Sequence, residues 1–121
     1  MADPDLTVMI HKHEIISRSF FMPDYVMYSL KILPADIECK RNYEDFTKLR
    51  SALERVYPGI PLPYLQKTSW LSETNADFIK KQKVMLEFFL ADIIYNKELR
   101  NSRIFEDFLT LKEHKKMKRK F

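Results

Sequence analysis

Glycine is almost missing from this sequence: Gly59 is the only one in 121 residues, so there is no glycine-rich loop to cradle a phosphate chain. Cysteine is as scarce. Cys39 stands alone, which excludes an internal disulfide and a cysteine-rich zinc site and suits a reducing compartment. No apolar run approaches the roughly 20 residues that a membrane-spanning helix needs. The start, Met1-Ala2-Asp3-Pro4-Asp5, is acidic and lacks the basic and apolar regions of a signal peptide. These absences lead to the expectation of a soluble intracellular domain. What is present is apolar: 45% hydrophobic and 13% aromatic residues are enough for a core and argue against global disorder. The length suits one domain.

The net charge of +4 is unevenly placed. Lys112 to Phe121 hold six Lys or Arg against one Glu, while the other 111 residues carry fifteen against sixteen Asp or Glu. The globular part is therefore close to neutral, whereas a nucleic-acid-binding domain spreads basic charge over a folded face. No nucleic-acid partner is expected. The run Lys115-Lys116-Met117-Lys118-Arg119-Lys120 fits membrane adhesion, a nuclear-localisation-like signal, or the start of a following region.

Two hydrophobic periods divide the chain. Leu6, Val8 and Ile10 alternate with other residues, and Val26, Tyr28, Leu30 and Ile32 do so more clearly within Tyr25 to Ile32. Pro34 and Ala35-Asp36 read as a tight connection to a third strand, Ile37 to Tyr43. That strand places Ile37, Cys39, Arg41 and Tyr43 on one side and Glu38, Lys40 and Asn42 on the other. Three such strands with short connections predict an antiparallel meander. The period then becomes helical. Phe46, Leu49, Leu53 and Val56 form one stripe, with Asn42 or a neighbour placed to cap it and Glu44 and Asp45 in its first turn. Pro58-Gly59 ends it. After the proline-spaced segment Ile60 to Lys67, Asn75 or Asp77 opens a longer helix with Phe78, Met85, Leu86, Phe89, Leu90 and Ile93. A last helix carries Ile104, Phe105, Phe108 and Leu109. The fold class predicted is α+β, a three-stranded antiparallel meander packed against about three helices, with residues 6–111 as the domain, 1–5 as an extension and 112–121 as a basic tail.

No catalytic constellation emerges, and an enzyme is not expected. His11-Lys12-His13 puts two imidazoles on one strand face, but a metal site needs three or four ligands and His114 lies far off. Surface histidines are the plainer account. Glu44 and Asp45 are adjacent on a helix and point apart, and their first-turn position explains them. Cys39 reads as a small buried hydrophobe. No cofactor is implied.

The order of elements and the residues at their joints resemble the phox-homology (PX) family, of the sorting-nexin kind, from about Leu6 to Leu111. Lys40-Arg41-Asn42-Tyr43-Glu44-Asp45-Phe46-x-x-Leu49 is similar to the family's Arg-Arg-Tyr-x-Asp-Phe-x-x-Leu. Leu62-Pro63-Tyr64-Leu65-Gln66-Lys67 looks like its Pro-Pro-x-x-Pro-x-Lys segment, and Asp77 to Glu87 with Phe89-Leu90 is similar to its second-helix signature.

The resemblance implies a phosphoinositide site, and it carries over unevenly. The family's arginine before the motif tyrosine grips the inositol 3-phosphate through a guanidinium fork. That position is Asn42 here. Arg41 is one residue early, which in a strand points it to the opposite face. Lys40 shares the parity of Asn42 but sits about 6–7 Å further back at the strand rise. Tyr43 matches the aromatic that packs on the inositol ring, although a packed strand–helix corner also accounts for it. Lys67 matches the loop lysine near the 1-phosphate. The second-helix arginine falls on Gln82, flanked by Lys80, Lys81 and Lys83, which also read as a solvated helix face. The candidate headgroup residues are thus Lys40, Arg41, Tyr43, Lys67 and Lys81, with Asn42 and Gln82 as degenerate positions. Trp70 and Leu71 are the candidate membrane-inserting residues, since Trp prefers the bilayer interface. Lys67, Lys80 and Lys81 flank them against anionic headgroups, at about 1 kcal/mol per basic residue.

Two functions are expected on these grounds. One is a lipid-binding module, with anionic membrane lipids including phosphoinositides as partners and weak or non-standard headgroup choice. It would be cytoplasmic and peripheral on endosomal or other intracellular membranes. The other is a protein-interaction module on the same fold, docking a protein partner or further domains of its own chain.

Overall fold

The alternation that begins at Leu6 runs further than its first three apolar residues suggest. In this computed structural model, which describes residues 5–65 and 74–110, strand β1 spans Thr7–Ile16. Strand β2 covers Tyr25–Leu33 and β3 covers Ile37–Asn42, in the order β1-β2-β3 with both pairs antiparallel. The inner face carries Val8, Ile10, Val26, Tyr28, Leu30, Ile32, Cys39 and Arg41, all buried. The other face is mostly polar, with Lys12, Glu14, Glu38 and Lys40 exposed. A half-solvated antiparallel sheet reads as alternation for this reason.

The alternation read from the sequence covers Leu6 to Ile10, and His11 and His13 are expected on one face of the strand beyond it. Pairing does continue beyond Ile10, through a bulge between Ile10 and Lys12. An extra residue in a strand reverses the facing of the residues beyond it. His11 turns toward Glu38, with Nε2 3.6 Å from Oε1, while His13 stands opposite inward-facing Tyr28 and beside Lys83. The two imidazoles expected on one face are therefore separated by the sheet, and the metal half-site is not formed. No metal-binding cluster occurs among the described residues.

Helix α1, Tyr43–Val56, starts at a capping box: Asn42 Oδ1 accepts from Asp45 N at 2.9 Å and Asp45 Oδ2 accepts from Asn42 N at 2.8 Å. Phe46, Leu49 and Leu53 are buried as the stripe requires, but Val56, in the last turn, is exposed. Helix α2, Ala76–Tyr95, is capped by Asn75 and buries Ile79, Gln82, Leu86, Phe89, Leu90 and Ile93. Two expected members of that face stand at its margin: Met85 is 37% exposed and Phe78 is half-buried. A single-turn α3, Lys97–Arg100, was too short to show a period, and Ser102 caps α4, Arg103–Leu109.

The helices close over the inner face. Helix α2 packs on β1, and α1 packs on β3 and α4. Phe46 is the hub, 6.2 Å from the Phe89 ring and 5.1 Å from the Phe108 ring, both edge-to-face. Fully burying such a ring stabilises by about 1.5–3 kcal/mol. No helix among the described residues is long and apolar enough to cross a membrane.

Candidate functional site at one end of the sheet

Register fixes which features share an end of the molecule. Strand β3 finishes at Asn42 opposite Met27, two residues from Tyr25, where β2 begins and the β1–β2 loop ends. The Asn42–Tyr43 corner and that loop therefore lie at the same end. Helix α2 points there too. Its C-terminal turns, at Ala91 and Tyr95, line a cleft with Thr7 and Val8; Glu87 accepts from Ile10 N at 2.7 Å; and Lys83 stands beside His13. The helix thus runs antiparallel to β1, and its N-terminal turns with exposed Lys80 and Lys81 reach the loop end.

At the corner Tyr43 is half-buried against the core, and Tyr64 stands close by. Burial, and secondarily Tyr64, raise the Tyr43 phenol above its ordinary value. Its hydroxyl is a neutral donor at physiological pH. The proline-spaced segment is tied to α1 by Arg50, whose Nε donates to Pro63 O at 2.9 Å, while Ile60, Leu62 and Leu65 pack on the core.

The other candidates are placed differently. Asn42 has its side-chain oxygen occupied by the capping box. Arg41, a candidate headgroup residue from sequence, turns inward and is 6% exposed. Its Nε donates to Phe108 O at 2.9 Å, Nη1 to Lys40 O at 2.6 Å and Nη2 to Thr110 O at 3.1 Å, so the guanidinium caps the C-terminus of α4. Lys40 lies on the solvated face, 3.1 Å from Glu14 Oε1. Gln82 is on the buried side of α2, and Lys81 is exposed. Lys67, Trp70 and Leu71 lie outside the described residues, as does the basic tail. A cleft of about 410 Å³ does open beside Asn42, but on the α4 side of α1; Asp45, Lys48 and Asp107 line it, and neither Tyr43 nor Gln82 does.

A family model of the PX domain matches residues 34–112. This chain belongs to the PX-domain family. Its similarity extends to sorting nexin-16 of Homo sapiens, 31% identical over 71 residues, which is 59% of this chain and 21% of that protein. Sorting nexin-16 of Mus musculus is 30% identical over the same length. The chain thus matches about a fifth of the length of these relatives. Among solved structures, a designed CISK-PX domain superposes with a TM-score of 0.73 at 27% identity, covering 86% of this chain and 98% of its own. The mouse SNX19 PX domain, solved with a bound sulphate ion, shares the fold at a TM-score of 0.56 and 20% identity, covering 86% and 95%. The meander, the helices and the family assignment all agree with the sequence reading.

The sequence reading passed over the β1–β2 loop. Ser17-Arg18-Ser19-Phe20-Phe21-Met22-Pro23-Asp24 shows no period, and its signal is a different one: two adjacent aromatics inside a stretch of turn-forming residues.

Proposed function

We propose that this PX domain is a membrane-associating module of a sorting-nexin-like trafficking protein, peripheral on endosomal or other anionic intracellular membranes, with weak or non-standard headgroup choice. PX domains are generally phosphoinositide-binding modules, which sets the class. The observation that carries the reading is the gathering of Tyr43 and the lysine-bearing start of α2 at one end of the sheet. A ring platform beside exposed cations suits an inositol phosphate on an anionic surface. Selectivity is what this end is short of. The position that calls for a guanidinium is a helix-capping Asn42, the second is a buried Gln82, and neighbouring Arg41 holds α4. Losing one charged hydrogen bond costs on the order of 1.5–3 kcal/mol, and two such losses reduce headgroup affinity by orders of magnitude.

Co-sedimentation with liposomes carrying each phosphoinositide, at two salt concentrations, tests this. Binding across anionic liposomes that weakens with salt and is lowered by Lys80→Glu with Lys81→Glu is the expected result. Salt-resistant binding to a single headgroup would instead mean a rebuilt pocket around Tyr43 and Lys67.

One observation favours a second reading, protein docking. Val84, Phe88 and Tyr95 are 50%, 63% and 90% exposed along one side of α2. Absence of binding to every liposome would move the function there.

A further inference from the structure

Helix α2 is apolar on the side that faces water as well as on the side that faces the core. At 3.6 residues per turn, Val84, Phe88, Ala91 and Tyr95 fall within a band about 60° wide, opposite the buried stripe of Ile79, Leu86 and Ile93. All four are exposed, and Met85 is 37% exposed at the margin. The outer face of a surface helix is ordinarily polar and charged. Between Val84 and Tyr95, the one charged residue exposed on it is Asp92. The band rises about 16 Å along the helix and ends at a cleft. There Ala91 and Tyr95, with Leu6 and Val8 at the start of β1 and with Arg100, enclose about 460 Å³. Arg100 also borders a second cleft, of about 380 Å³, beside Pro34. Its Nη1 donates to Ile94 O at 2.8 Å, while Nε is shielded from water and has no hydrogen-bond partner. Among the described residues Arg100 forms no ion pair. Buried polar groups in folded proteins are nearly always satisfied, so an unopposed guanidinium between two apolar clefts is the second irregularity of this region.

We propose that this face docks an amphipathic helix of a partner protein, whose apolar stripe lies along Val84, Phe88 and Tyr95 and whose acidic residue meets Arg100. The proposal rests on the docking reading above and gives it a partner of stated chemistry. Shape and charge together select that occupant. A ridge spaced at four, three and four residues is a surface against which the ridges and grooves of another helix pack. Phe88 in its middle and Tyr95 at its end are aromatic anchors of the kind that carry interface energy. The guanidinium at the end of the ridge lacks a counter-charge, and its fork matches a carboxylate. Asp92, on the flank, disfavours a second acid beside the stripe. Arg100 and Tyr95 lie where β1 begins, at the opposite end of the sheet from the Tyr43 corner. The partner helix and an anionic membrane therefore occupy different ends of the same domain.

The test selects peptides from a displayed library of helix-forming sequences of about 16 residues, long enough to span the ridge, on the whole chain. The expected consensus has apolar residues at i, i+4 and i+7 and an Asp or Glu in one end turn. Fluorescence anisotropy then measures a selected peptide. Phe88→Glu is expected to weaken it about thirtyfold, as loss of a central anchor does, and to leave the melting temperature in place because Phe88 is outside the core. Arg100→Gln is expected to weaken it about tenfold. A peptide whose acid is exchanged for lysine should bind the wild type less well and Arg100→Glu better, an exchange that a merely structural arginine does not give. Selected peptides that lack an acid and bind wild type and Arg100→Gln equally overturn the proposal and leave the docking reading standing. Selection that is no better on the wild type than on Phe88→Glu overturns both. A chain that dimerises in sedimentation velocity and becomes monomeric on Phe88→Glu makes the occupant a second copy, and overturns the proposal as well.

Discussion

The two turns of the meander obey opposite rules. Between β2 and β3 the chain reverses in Pro34-Ala35-Asp36, where Asp36 takes the left-handed conformation at φ 59° and its carboxylate sits 3.1 Å from Lys31 Nζ. Asp tolerates that region, and Pro and Asp are standard turn residues. Between β1 and β2 the chain makes a long excursion and places Phe20 and Phe21 at its corners. One sheet thus has a closed end built for folding and an open end that exposes what folding would bury. Departures from local folding rules concentrate where something other than stability is selected.

Substitutions at the two ends should therefore separate stability from binding. The largest effect belongs to the closed end. Phe105, fully buried beneath the cleft beside Pro34, should cost about 3–5 kcal/mol on Phe105→Ala in urea unfolding. Phe20→Ser with Phe21→Ser should move the same measurement by less than about 0.5 kcal/mol, as exposed positions do. A comparable loss from both would erase the contrast.

Asn42 lies where the contrast is sharpest, since it serves the fold at the open end. Asn42→Ala should cost about 1 kcal/mol through the lost cap. Asn42→Arg should cost a similar amount and raise binding to 3-phosphorylated inositol lipids above other anionic lipids. Isothermal titration with a soluble headgroup reads that gain, and no gain would mean that the geometry beside Tyr43 does not admit a phosphate.

The smallest effect is electrostatic. Burial, and then the Lys83 ammonium, lower the pKa of His13 below its ordinary value. The folded chain therefore holds this proton less tightly than the unfolded one. The corresponding stability is present above about 6.5 and falls as pH drops through the window just below it. His13 is exposed, so the loss is slight. Imidazole resonances tracked by NMR should show its midpoint rising on Lys83→Ala.

Much of the architecture was legible because burial imposes a period. Val26, Tyr28, Leu30 and Ile32 alternate because one side of β2 meets the helices, and Phe46, Leu49 and Leu53 recur because α1 buries one stripe. The capping role of Asn42 was legible from three neighbouring residues. Arg41 was legible only as a cation on the inward side of a strand. Its partners, Phe108 and Thr110, are more than sixty residues away, and no local pattern announces a carbonyl that distant. The histidine pair failed for a related reason: the bulge after Ile10 depends on pairing with β2, and it alone reversed the facing of His13.

The sequence by itself determined the three strands, the helices other than single-turn α3, their order and the family, because periodicity, caps and turn residues act over a few neighbours. Tertiary structure decided which end of the sheet collects Tyr43, the start of α2 and the Phe20–Phe21 apex, and which apolar residues stay in water. A phenylalanine in a sequence is only a demand for burial. Whether the fold meets that demand or leaves it to another surface depends on contacts that form only when distant segments pack.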